Sequence, residues 1–287
     1  MRKGYRVFRL WSIAVSMMIV LLVLSVSTYA WFTVNRIVST DRATARSGTD
    51  TLELQISSAG GTSFKGLKEA DILQVNHTSL TNLMPVSTAD LKTFVYNPVS
   101  EGDMATTFRT VENEAYYYHG RFYLRAEAEG RAPGAKMALY LDEGNEVGAA
   151  LAKAEEGMFL NSARLGMTFD GESPVIFALS EEENPTEHQV RNTKWNGTLL
   201  GDDQVLGMSE GVITGVKDPA IALSDRTIVM SDTHVTFPAA PLMYMELNRI
   251  YTVDVYLYIE GCDPDCSDSI GLQEADLHLA FYGILEE

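Results

Sequence analysis

A chain of 287 residues with 39 acidic against 22 basic side chains has a formal net charge of −17, which argues against nucleic acid and anionic lipid as partners. Its length is ample for a large hydrophobic core, whereas its two cysteines, Cys262 and Cys266, close too short a loop to staple a domain of this size. The fold has to rest on packing.

In chain order the first element is a leader. Arg2, Lys3, Arg6 and Arg9 are the only charged side chains in the first thirty residues, and the apolar run Leu10 to Ala30 follows them. Basic residues ahead of an apolar stretch are the order of an export signal. The run is close to the roughly 20 residues that span a bilayer, so it serves as a cleaved signal peptide or as a retained hydrophobic anchor helix. Ser25 to Ala30 turns small and polar, and Thr28 with Ala30 makes a small-x-small peptidase site ahead of Trp31, which favours cleavage. The expected organisation is a leader at 1–30, a mature N-terminal segment at 31–50 and a β domain over 51–287. Without the leader's four basic groups the net charge becomes −21, so contact with a membrane is expected only through the N-terminal segment.

Past the leader the recurring signal is period two, which places alternate side chains on opposite faces of a strand. Leu52, Leu54 and Ile56 alternate with polar residues; Phe122, Leu124, Ala126 and Ala128 alternate with Tyr123, Arg125, Glu127 and Glu129; Met137, Leu139 and Leu141 repeat the pattern. The cleanest case sets Tyr251, Val253, Val255, Leu257 and Ile259 against Thr252, Asp254, Tyr256, Tyr258 and Glu260, one face for the core and the other for solvent. Leu277, Leu279 and Phe281 mark a last strand, and shorter β-type runs lie at 163–169, 174–179, 211–216 and 226–230. Separated by turn-prone Gly, Pro, Asn and Asp, these predict an all-β sandwich or barrel. Helix signals are confined to 146–157 and a short stretch at 87–91, and the polar region 180–211 reads as a loop insertion.

The junction Thr28, Tyr29, Ala30, Trp31, Phe32, followed by Ser47, Gly48, Thr49, Leu52 and Leu54, resembles the start of proteins of the TasA/camelysin family, whose signal peptides are cut by the SipW type of signal peptidase. Thr33 and Val34 depart from the pattern, where an Asp usually follows the Phe. The stretches 161–169 and 255–270 are similar to surface proteins of Gram-positive anaerobes that carry the same kind of leader. The resemblance implies a jelly-roll-like antiparallel β-sandwich. It also implies a cell-surface or biofilm-matrix subunit, processed by a signal peptidase and able to assemble with itself or with other matrix proteins.

Chemistry is sparse. GMSEG at 207–211 fits a nucleophile-elbow spacing around Ser209, but the β-branched run after it is not the helix such an elbow needs, so Ser209 reads as a turn serine. His77, His119, His188, His234 and His278 show no paired metal-ligand spacing, and an H-E-x-x-H helix is absent. Glu260, Asp263, Asp265 and Asp268 gather carboxylates on a tight turn, as a calcium ion requires, although a solvated acidic turn is the simpler reading. A disulfide between Cys262 and Cys266 is feasible across the same turn. Tyr116, Tyr117, Tyr118 and Tyr123 offer a platform for a sugar or polymer, with packing on a sheet the simpler reading. The expected function is a non-enzymatic structural protein, secreted or displayed on the cell surface and membrane-anchored if the leader is retained. The alternatives are an adhesin that binds glycan or protein and, behind it, a secreted hydrolase.

Overall fold

A computed structural model describes residues 38–47, 52–59, 64, 69–76, 83–98, 108–112, 116–131, 134–142, 161–180, 194–195, 198–201, 203–230, 234–263, 266 and 275–286. The leader and the helix expected at 146–157 lie outside these residues. Among the described residues no helix is long and apolar enough to cross a membrane.

The alternating segments form the strands, and the class is all-β. An eight-stranded sheet runs in the order Ile221–Ala222, Glu172–Ala178, Ala163–Phe169, Ile250–Glu260, Tyr118–Ala128, Leu52–Ser57, with Leu73–Gln74 beside Tyr118–Ala128 and Pro85–Val86 beside Ile250–Glu260. A seven-stranded sheet runs Val235–Thr236, Thr227–Met230, Lys136–Asp142, Ala275–Leu285, Val38–Ser47, Glu69–Ala70, with Met243–Glu246 also on Lys136–Asp142. Inward residues of both sheets make one core: Leu54, Phe122, Leu124, Leu165, Val253 and Val255 from the first meet Leu139, Leu141, Leu279 and Phe281 from the second. The Phe122 and Phe281 rings, 5.6 Å apart, tie the two sheets together.

Three expectations change. The β structure includes Val38–Ser47, ahead of residue 51, because this strand runs parallel to Ala275–Leu285 and buries Ala43 and Ala45 in the core. The sheets are also mixed and not purely antiparallel: four pairings are parallel, including Thr227–Met230 on Lys136–Asp142 and Pro85–Val86 on Ile250–Glu260. The polar insertion ends early as well, since Gln204–Ser209 and Val212–Lys217 form a hairpin that buries Val205 and Leu206. Its loop residues Glu210 and Gly211 both have positive φ, 50° and 79°, which is the signature of a two-residue type I′ turn.

The second face of the eight-stranded sheet is covered at the Asp254–Glu260 end of its central strand, while Ile250 stays exposed and Thr252 half-buried. Tyr258, Asp254 and Glu260 are buried on that face, and a layer made from 83–98, 108–112, 116–117 and the 204–217 hairpin packs over it. Residues 87–91, expected to be helical, form a side-chain-capped turn within it. Thr88 Oγ1 accepts from the Leu91 N–H at 3.1 Å, and Asp90 Oδ1 accepts from Lys92 and Thr93 at 2.9 Å. Such local acceptors draw Ser, Thr and Asp away from helices and into turns. The turn sets Leu91 directly over Gly166, where a Cβ would come within 2.5 Å of a Leu91 methyl. Gly166→Ala is therefore expected to cost about 1–3 kcal/mol by overpacking, measured by urea denaturation. Unchanged stability would mean that the covering layer gives way.

Candidate functional site

Two features lie in the covering layer, a buried ionic cluster and an open cleft. The cluster forms at the end of the Ile250–Glu260 strand. Parallel pairing with Pro85–Val86 brings Ser87 beside Glu260, and antiparallel pairing with Ala163–Phe169 sets Arg164 opposite Tyr258. Arg164 Nη2 donates to Asp263 Oδ2 at 2.6 Å and lies 3.9 Å from Asp218 Oδ2. Burial works against the guanidinium charge, but Asp263, Glu260 and Asp218 outweigh it and raise the Arg164 pKa. Glu260 accepts the Cys262 N–H at 2.9 Å. Burial pushes its carboxyl up to about 7, against the lowering effect of a Ser87 hydrogen bond and the Arg164 charge.

Of the four carboxylates expected to hold calcium, Glu260 and Asp263 are described, and Asp265 and Asp268 lie outside the described residues. The described pair does not fit a cation site, because the positive charge it faces is the Arg164 guanidinium. No group of three or more His, Cys, Asp or Glu side chains is gathered as a metal would need among the described residues. Cys262 packs with Val95, Leu200 and Leu206 in a small cluster under the hairpin, while Cys266 packs against the main core. The signal-cleavage residues Thr28, Ala30 and Trp31 lie outside the described residues.

A second polar group sits on the same covered face. His119 Nε2 and Arg121 Nε meet Asp254 Oδ1 at 2.9 and 2.7 Å, and the His119 ring stacks on Tyr256 with centroids 4.5 Å apart. Burial alone would raise the Asp254 pKa, but hydrogen bonds from His119 and Arg121 hold it below the ordinary carboxylate range. Ser209 pairs with Val212 across the hairpin turn, so its local structure is strand and turn instead of a strand–helix elbow.

The tyrosine run divides. Tyr117 stacks on Phe94 with centroids 3.9 Å apart, and Tyr118 is buried in the core, so both pack. Tyr116 is half-buried and meets Tyr96 edge-on at 5.0 Å. Burial, and then the neighbouring Tyr96 phenol with its hydrogen bond, raise the Tyr116 pKa. This pair lines an open cleft of about 700 Å³ together with the polar Arg109 and Glu112 and with Met208 and Val212 of the hairpin. No protein-family model, curated protein or solved structure matches this chain. The reading of the site therefore rests on its own geometry.

Arg164, Tyr96 and Arg109 escaped the sequence reading. Arg164 had one available signal, an arginine near the start of a largely apolar strand, ARLGMTF, where an unpaired charge would be too costly to keep. Tyr96 and Arg109 carry no such mark, because they meet only through the pairing of Val95–Tyr96 with Arg109–Thr110.

Proposed function

We propose that the protein is an exported cell-surface or matrix subunit with a jelly-roll-like sandwich, processed by a signal peptidase and assembled by exchange of its first strand between copies. The observation that carries this reading is the position of Val38–Ser47. It follows the leader junction at 28–32 closely and pairs with Ala275–Leu285 from Val38↔Ala275 to Ser47↔Gly283. On its other side it meets only Glu69–Ala70 among the described strands. Such a strand is nearly an edge strand, and its removal uncovers the hydrogen-bonding groups of Ala275–Leu285, which an identical strand from a neighbour would satisfy. The chain's net charge of −17 keeps free subunits apart, so assembly is favoured when that charge is screened or neutralised.

The test is to purify the exported protein, sequence its N-terminus and follow its size by light scattering as salt, pH and calcium are varied. A chain that begins at Trp31 and forms oligomers, capped by an added peptide of residues 31–47, is the expected result. A protein that stays monomeric under every condition would overturn the assembly reading.

A further inference from the structure

We infer that the cleft between the Tyr96–Tyr116 pair and the 204–217 hairpin is a binding site for a neutral saccharide. Three properties of the cleft point to that chemistry. Its volume of about 700 Å³ lies within the range of small-ligand sites, and the space is open enough to admit part of a polymer from the side. One wall is a fixed aromatic corner. Tyr96 is set by the pairing of its strand with Arg109–Thr110, Tyr116 is tied through its carbonyl to the Met84 N–H at 3.1 Å, and the two rings cross at 76°. Tyrosine faces are electron-rich, so they attract the C–H face of a pyranose ring, and the Tyr96–Tyr116 hydrogen bond leaves one phenol proton and further acceptor lone pairs for the sugar's hydroxyls.

The polar side supplies the second half of saccharide recognition. Arg109 and Glu112 are exposed and both line the cleft, with Arg109 paired across the strands to Tyr96. A planar guanidinium donates to vicinal hydroxyls and a carboxylate accepts from them, so a ring carrying neighbouring hydroxyls is matched on both counts. Opposite charges in one cleft also leave little net field there, which favours a neutral ligand over an anion or a cation. The chain's overall charge of −17 weighs further against nucleic acids and acidic polymers. Met208 and Val212 of the hairpin add apolar surface to the lining, and Val212 is 62 % exposed and so accessible to a ligand. The ligand class that uses an aromatic corner, an apolar wall and a pair of polar side chains together is a β-linked sugar with equatorial hydroxyls, whose ring faces are apolar and whose rim is polar.

Pre-organisation strengthens the case. Val111 donates to the Phe94 carbonyl at 2.8 Å, and Phe94 is itself stacked on Tyr117, so both strands that flank the cleft are anchored to the aromatic cluster beneath. A site already held in shape loses little conformational freedom on binding. The proposal does not depend on strand exchange, since the cleft lies on the covering layer and Val38–Ser47 lies in the opposite sheet.

The test uses the full-length chain in zwitterionic detergent micelles, which carry no sugar headgroup, titrated with cellohexaose and with hexa-N-acetylchitohexaose, both neutral, by calorimetry. At least one oligosaccharide is expected to bind with a Kd below about 1 mM. Val212→Arg, which fills the cleft from an exposed position, and Tyr116→Ala, which removes the aromatic corner, are each expected to weaken binding tenfold or more. Val212→Arg should leave the melting temperature unchanged, which separates blockage of the cleft from loss of the fold. Absence of binding to both oligosaccharides overturns the proposal, and so does binding that Val212→Arg leaves intact.

Discussion

Replacing Arg164 with methionine is expected to lower stability by about 3–5 kcal/mol at neutral pH, the cost of leaving buried carboxylates without their counter-charge. The side chain is 8 % exposed and bonds to Asp263 at 2.6 Å, with Asp218 at 3.9 Å and Glu260 adding to the same field. Methionine fills nearly the same space, so the loss reports charge and not a cavity. The effect reaches beyond the pair, because Asp263 leads out of the turn after Glu260, and Asp218 ends the hairpin that forms one side of the cleft. Equilibrium denaturation in guanidinium chloride would measure the difference, with intrinsic tyrosine fluorescence as the probe. A loss below about 1 kcal/mol, the range of an exposed ion pair, would show that the cluster is hydrated and not buried.

The second large effect is a pH dependence centred on Glu260. Its carboxyl titrates at about 7 in the folded chain against an ordinary 4.5. Between those values the folded state holds a proton that the unfolded state has released, so stability falls as pH rises and levels off above the folded value. The groups facing Glu260 are Ser87, the Cys262 N–H, Arg164, Asp218 and the Tyr258 phenol. A shift of this size corresponds to a fall on the order of 3 kcal/mol across the window. Glu260→Gln keeps an acceptor for the Cys262 N–H and removes the ionisation. Its stability curve is expected to match the parent near pH 4.5 and to lie above it near pH 8, as read by thermal or chemical unfolding across the range. Parallel curves for the two proteins would exclude Glu260 as the source of the slope. Asp254 acts with the opposite sign and in a lower window. Its lowered pKa contributes stability that is present above the ordinary value of 3.8 and is lost as pH falls through the folded value.

The inner faces of the two sheets were legible in the sequence residue by residue. Leu52 to Ile56, Phe122 to Ala126, Met137 to Leu141, Tyr251 to Ile259 and Leu277 to Phe281 all point alternate apolar residues into one core. The outer face of Ile250–Glu260 reads as solvated in the sequence but is buried at Asp254, Tyr258 and Glu260, and Tyr256 and Tyr258 at alternate positions are the hint of an apolar cover. Val38–Ser47 was missed for a different reason. Its core-facing side chains are the small Ala43 and Ala45, which give little hydropathy contrast in a polar run. Local pattern shows that a face is apolar, not what lies over it.

The candidate site was legible only in fragments. The acidic turn and the tyrosine run were visible, but their roles were not, because each was settled by a distant residue. Arg164 and Asp263 are 99 positions apart, and Ser87 and Leu206 are 119 apart. The sequence alone determined the all-β class, the core strands and the acidic charge, since these follow from side-chain periodicity and composition. Tertiary structure alone decided that an arginine faces the acidic turn, that Glu260 is a buried titratable group, and that Tyr96 and Tyr116 make the corner of a cleft. Those outcomes depend on which distant segments a strand meets across the sheet and above it, and no local pattern encodes that choice.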